Sequence, residues 1–99
     1  MPKFLAIGHH GPVDPELGLR IADVAVDWIS ARLADGTFDC LYSMAGGGRM
    51  IVANATSEDD LLAMLRAAPD APREWTLTEL FDGIEVIRKY VESMRSGNA

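Results

Sequence analysis

The sequence predicts an α+β fold of order β-α-β-β-α-β with one further helix at its end. Three observations carry that reading. Two strand-like runs flank Gly46-Gly47-Gly48 inside Leu41 to Asn54, and glycine-rich joints of this length make hairpins. The second run passes through Thr56-Ser57-Glu58-Asp59-Asp60 into Leu61-Leu62-Ala63-Met64-Leu65, a capping signal followed by an amphipathic helix. The start is a short continuous apolar run, the stretch around Trp75 alternates with a period of two, and the long stretches between have a period close to 3.6.

Lys3 to His9 is a short apolar run closed by Gly and Pro signals, a buried first strand. Asp14 then stands where an N-cap belongs and Pro15 at the first helical position, where its missing N–H costs nothing. The first helix runs from Pro15 to Ala34 and stops at Asp35-Gly36. Its polar residues Glu16, Arg20, Asp23, Asp27 and Ser30 make one narrow stripe, and the apolar sector, widened by Val26 and Ile29, predicts a mostly covered helix. Thr37 to Ala45 and Arg49 to Ala55 are the second and third strands. Either Ser57 with Asp60 or Thr56 with Asp59 caps the second helix, which Pro69 and Pro72 end. Glu74 to Phe81 alternates in β-forming residues and is the fourth strand, with Trp75, Leu77 and Phe81 on one side, interrupted by Glu79. Asp82 caps a last helix striped by Ile84, Ile87, Tyr90 or Val91, and Met94.

This order is the ferredoxin-like split βαβ pattern, with both main helices on one face of an antiparallel sheet. Phe4 and Ala6 oppose Leu5 and Ile7, and Met50 and Val52 oppose Ile51 and Ala53, so the strands are apolar on both sides. A sheet of that kind with helices on one face predicts a second sheet over the other, hence a homodimer or higher homo-oligomer through the sheet face. Residues 1–99 read as one domain.

With 48% apolar and 24% charged residues the composition is that of a globular chain. The formal charge of −6 and the scattering of nine basic residues argue against nucleic acid and against an anionic membrane surface. No apolar run is long enough to span a bilayer, and a single cysteine, Cys40, points to a reducing, cytoplasmic setting.

Leu41-Tyr42, Ala45-Gly46 at the turn, Thr56-Ser57-Glu58-Asp59-Asp60-Leu61-Leu62 leading through Leu65 to Pro69, and Thr78-Glu79-Leu80 further on resemble the muconolactone isomerase family. The resemblance covers roughly 40 residues, from the second strand to the fourth. It implies a dimeric α+β barrel and cofactor-independent proton transfer on a lactone, carbonyl or polyketide-like substrate. Gly8-His9-His10-Gly11 and the triple glycine depart from that family's pattern.

Candidate chemistry is sparse. His9 and His10 end the first strand, and histidine suits proton transfer because it titrates near neutrality. Neighbours on a strand point to opposite faces, so one at most faces a given cavity unless the flanking glycines bend the chain. Glu79 breaks an apolar side and is the third catalytic candidate. Arg49 could grip a carboxylate through two hydrogen bonds and Tyr42 could orient an oxygen, although a solvated hairpin-end charge and an ordinary strand aromatic are the readings the residues favour. Trp28 is a candidate ligand contact or a core aromatic. Adjacent histidines chelate poorly and no Cys-x-x-Cys accompanies them, so neither metal nor cofactor is expected. An enzyme on a small-molecule substrate, a non-catalytic binding or accessory protein, and a structural assembly module are the three readings these residues permit.

Overall fold

The computed structural model describes residues 1–9, 14–69, 72 and 74–97. Its elements are β1 (Lys3–His9), α1 (Pro15–Ala34), β2 (Phe38–Ser43), β3 (Arg49–Asn54), α2 (Glu58–Arg66), β4 (Glu74–Leu80) and α3 (Gly83–Gly97). The four strands form one antiparallel sheet in the order β2-β3-β1-β4. This is the ferredoxin-like βαββαβ arrangement with an added C-terminal helix that the periodicity predicts.

The caps act as their residue types require. Asp14 accepts from the Glu16 amide at 3.1 Å, Ser57 from the Asp60 amide at 3.1 Å, and Asp82 from the Glu85 amide at 2.9 Å. Of the two alternatives for α2, Ser57 is therefore the N-cap, and the Thr56 hydroxyl bonds the Asp60 carboxylate beside it. The β2–β3 hairpin is shorter in strand than its apolar run suggests. Met44 leaves the ladder: its amide donates to the Gly48 carbonyl at 3.0 Å, and the Gly47 amide to the Met44 carbonyl at 3.1 Å. Gly46, Gly47 and Gly48 all have φ between 89° and 103°, a region open to glycine alone in practice.

Pairing divides the sheet into two faces. Phe4 lies opposite Ala53 and Ala6 opposite Ile51; all four are buried beneath the helices with Phe38, Leu61 and Leu65. Trp28, Leu41, Met64, Trp75 and Leu77 pack around that core. On the open face, Leu5 lies opposite Val52 and Ile7 opposite Met50, all half-buried with no helix over them.

A bulge in β2 reconciles its sequence with this division. Phe38 pairs with Ala53 and Cys40 with Val52, leaving Asp39 as the extra residue. Phe38 and Leu41, an odd number of positions apart, thereby reach the same helix-facing side. Asp39 in turn meets β1 and β3. It pairs with the Lys3 ammonium and accepts from Asn54 Nδ2 at 2.9 Å, while Asn54 Nδ2 also donates to the Gly36 carbonyl at 3.0 Å.

Two features differ from expectation. Ala25 is the one buried residue of α1, and Leu19, Val24 and Val26 are 81%, 56% and 61% exposed, so the helix is far less covered than its composition suggests. No side chain of α3 is buried either. The molecule measures 65 × 28 × 21 Å with a radius of gyration of 17.4 Å, against about 13 Å for a compact chain of this length. The apolar sectors of α1 and α3 were composed for contacts that one copy does not make. Phe81, grouped by alternation with Trp75 and Leu77, falls beyond β4 and is exposed.

The hydrogen bond to Lys3, then that to Asn54, holds the Asp39 carboxyl below the ordinary value of 3.8. Its contribution to stability is present above that ordinary value and is lost as the pH falls through the lower folded value. Carboxyl chemical shifts followed in an acid titration are expected to show Asp39 titrating below 3.8, and rising toward it in Lys3→Met. An unchanged Asp39 curve in that variant contradicts the assignment.

Candidate functional site

β1 and β2 end, and α1, β3 and β4 begin, at one edge of the sheet, which brings loops from distant parts of the sequence together. Across that edge the helix-facing row is Ser43, Arg49, Gly8 and Trp75, in strand order β2-β3-β1-β4. The next row is Leu41, Ile51, Ala6 and Leu77; the third is Phe38, Ala53, Phe4 and Glu79. Arg49 and Glu79 are the only ionisable residues among these positions. Arg49 is half-buried at the edge, and Glu79 is exposed on the outer strand.

Gly8 shapes the space between them. A Cβ there would stand 2.8 Å from Cζ3 of Trp75 and 2.9 Å from Cγ of Pro72, so the indole lies directly on the bare backbone. Trp75 Nε1 donates to the Pro72 carbonyl at 3.1 Å, which fixes the ring's direction. On its other flank Gly8 meets the hairpin: a Cβ on Gly48 would lie 2.5 Å from the Gly8 carbonyl oxygen. Above this edge the first turns of α1 stand off the sheet. Leu17, on the stripe that continues into Ile21, Ala25 and Trp28, is 51% exposed, whereas Ala25 farther along is buried. This edge therefore sets Trp75 and Arg49 on the two strands that flank β1, on the helix-facing side of the sheet.

The sequence-derived candidates divide between the two faces. His9 is exposed and opposite Glu74 on the open face. Tyr42 is 63% exposed and opposite Met50, also on the open face. Arg49 and Tyr42, seven positions apart across the turn, thus point to opposite sides of the sheet. His10 lies outside the described residues. Trp28 packs its ring 5.9 Å from that of Phe38, with the Arg32 guanidinium carbon 5.3 Å over its face, the surroundings of a core aromatic. Glu79 shares its face with Arg49, two strands and four residues away, on the order of 16 Å between Cα positions.

A depression of about 400 Å³ opens at the opposite end of the sheet, lined by Asp35, Thr37, Asn54, Thr56, Asp60 and Met64 among others. Most of its polar atoms already serve the local structure. The Thr37 side chain and backbone lower the Asp35 pKa, with Arg32 assisting, and Thr56 with Asp60 frames the start of α2. Those partners explain the depression as a seam between caps. Among the described residues no cluster of three or more His, Cys, Asp or Glu is placed to hold a metal.

In the sequence Trp75 stands out only as one side of an alternating strand and Gly8 only as the close of an apolar run. The available signal was a glycine inside an apolar strand, which marks close approach of another group.

The described chain has the ferredoxin-like βαββαβ fold with an added C-terminal helix. No family model and no curated protein matches it. Among solved structures it is similar to 5-chloro-2-hydroxyhydroquinone dehydrochlorinase from Burkholderia phenoliruptrix AC1100 in complex with 2,5-dihydroxybenzoquinone. The identity is 11% and the TM-score 0.67, over 84% of this chain and 97% of that one. At that identity the likeness is one of fold.

Gly8→Ala is expected to displace the indole, shifting Trp75 fluorescence and lowering stability by about 1–3 kcal/mol, the usual cost of overpacking. Denaturant unfolding with tryptophan emission measures both, and a variant with unaltered emission and midpoint refutes the contact.

Proposed function

We propose that the protein binds a small, partly apolar compound bearing a carboxylate, lactone or enolate oxygen, and moves a proton on it without a cofactor. The observation that carries this is the helix-facing layer of the sheet. It is apolar except for Ser43, Arg49 and Glu79, with Trp75 laid over Gly8 between the strands of the two charged residues.

A guanidinium bonds both oxygens of a carboxylate and stays charged in a partly apolar setting, so Arg49 anchors the anionic end. The indole supplies a flat apolar wall for a ring. Glu79 carries the proton: as a carboxylate it accepts one from a carbon beside the carbonyl and returns it elsewhere on the same skeleton, which gives isomerisation with no net change in atoms. A ligand the size of one ring, with the two long side chains, bridges the separation. The resemblance to muconolactone isomerase and the fold shared with a quinol dehydrochlorinase both support a small cyclic oxygenated compound, and neither fixes which. His9 and Tyr42 lie across the sheet from Arg49 and take no part in this step.

The alternative is a binding or accessory protein, with Arg49 and Trp75 holding the ligand and no proton transferred. The exposure of Glu79 on an edge strand favours it.

One experiment separates the two. Muconolactone and 2,5-dihydroxybenzoquinone are titrated into the protein, following amide shifts, while turnover of the lactone is monitored in deuterated water. Arg49→Ala is expected to weaken binding at least tenfold. Glu79→Gln is expected to preserve binding and to reduce deuterium incorporation about 10²-fold, at the lower end for a lost general base. Binding without turnover in the unmodified protein establishes the accessory reading. Shifts confined to the far depression overturn the site.

The same reading includes a homodimer closed through the open sheet face, supported by the half-buried Leu5, Ile7, Met50 and Val52. Val52→Glu is expected to give a lower mass than the unmodified protein by light scattering at micromolar concentration, because the sheet-face contact is lost; an unmodified protein that is already monomeric there eliminates the dimer.

A further inference from the structure

The outer surfaces of α1 and α3 share a pattern that the fold of one copy does not use. On α3, Ile84, Ile87, Val91 and Met94 are spaced 3, 4 and 3 residues apart, the interval that lines one seam of a helix. Ile84 and Ile87 are 60% and 62% exposed, and Val91 is 36% exposed. On α1, a second apolar seam runs beside the stripe that faces the sheet: Leu19, Ala22, Val26, Ile29 and Leu33, spaced 3, 4, 3 and 4. Leu19 and Val26 are 81% and 61% exposed, and Leu33 is 40% exposed.

The residues flanking each seam carry opposite charges. Following Ile87 and Met94 on α3 are Arg88 and Arg95. Following Ala22 on α1 is Asp23, and Glu16 is one heptad before it. Antiparallel packing with alternating layers sets Ile84 against Ile29, Ile87 against Val26 and Val91 against Ala22. The same register brings Arg88 to Asp23 and Arg95 to Glu16. A small residue in the α1 seam, Ala22, lets the two helices approach. One register thus satisfies both the apolar layers and the charges.

We infer that α3 of one copy of this chain lies antiparallel along the outer seam of α1 on a second copy, and by two-fold symmetry receives the reciprocal contact. Only Phe81 and Asp82 separate β4 from α3, and the arm stands away from its own α1, so the matching seam belongs to another copy. An isolated helix of 15 residues is marginal in water, and this contact supplies the packing that sustains it. The occupant is a second copy because the charges complement within the chain itself: an acidic protein of net charge −6 places its α3 arginines opposite the α1 carboxylates. This contact is independent of the sheet face and of the proposed function.

Charge reversal in the full-length protein tests it. Sedimentation velocity is run on the unmodified chain, on Arg88→Glu/Arg95→Glu, on Glu16→Arg/Asp23→Arg, and on the chain carrying all four changes. Circular dichroism checks that each retains its helices. Each double variant is expected to associate at least roughly tenfold more weakly, since symmetry turns four opposite-charge contacts into like-charge ones. The four-fold variant is expected to recover association within about threefold. An unmodified chain that stays monomeric would falsify the contact. A double variant that associates like the unmodified chain shows that another face holds the copies, and failure of the four-fold variant to recover also overturns the register.

Discussion

The bare backbone at Gly8 is the constraint on which this edge of the molecule depends. Three neighbours converge there: the Trp75 indole over its α-carbon, Pro72 beside it, and the hairpin at Gly48 against its carbonyl. A methyl group at either glycine would overlap heavy atoms by more than packed side chains tolerate. Three consecutive residues with positive φ are needed to bring the β2–β3 turn down to this point. The hairpin therefore does more than set register. It presses onto β1 where the strands of Trp75 and Arg49 flank it, so the geometry of this edge is fixed by the absence of side chains as much as by those present.

A second constraint follows from having one helical layer on a sheet that is apolar on both sides. The helix-facing side closes well, with Phe4, Ala6, Ile51, Ala53, Leu61 and Leu65 all at or below 2% exposure. The open side and the outer seams of α1 and α3 retain apolar surface that a small domain cannot cover from its own chain. Burial is worth about 25 cal/mol for each Å² of apolar surface, so leaving several such side chains in water forgoes several kcal/mol that association recovers. Function and assembly draw on different surfaces as a result. Arg49, Trp75 and Glu79 stand on the helix-facing side of the sheet, while the uncovered apolar surface lies on its opposite side and on the helix exteriors.

The element order, the caps at Asp14, Ser57 and Asp82, and the sidedness of β1 and β3 were legible because each is a local rule with a short reach. Capping needs one side chain three residues from an amide, and a central strand needs only alternation. The bulge at Asp39 was not legible. It breaks the alternation of β2, and its justification lies in Lys3 and Asn54, far away in sequence. The site was legible in part. Arg49 stood out as a charge at a strand start, but its separation from Tyr42 by the plane of the sheet follows from a register that the chain reveals only when folded. Gly8 and Trp75 are 67 positions apart in sequence, so neither could announce the other.

An anion-binding role for Arg49 in a protein of net charge −6 raises a question of field that distance resolves. Glu58, Asp59 and Asp60 in the first turn of α2, together with Asp35 and Asp39, crowd the far end of the sheet. β3 alone carries the chain from Arg49 to Asn54, on the order of 17 Å at the rise of an antiparallel strand. That is about two Debye lengths at physiological ionic strength, so those carboxylates are largely screened at Arg49. Near the indole the lower polarity strengthens the guanidinium's hold further. The net charge governs how the molecule meets other macromolecules at long range; at this edge Arg49 stands with Glu74 and the acidic start of α1 as the nearer charges.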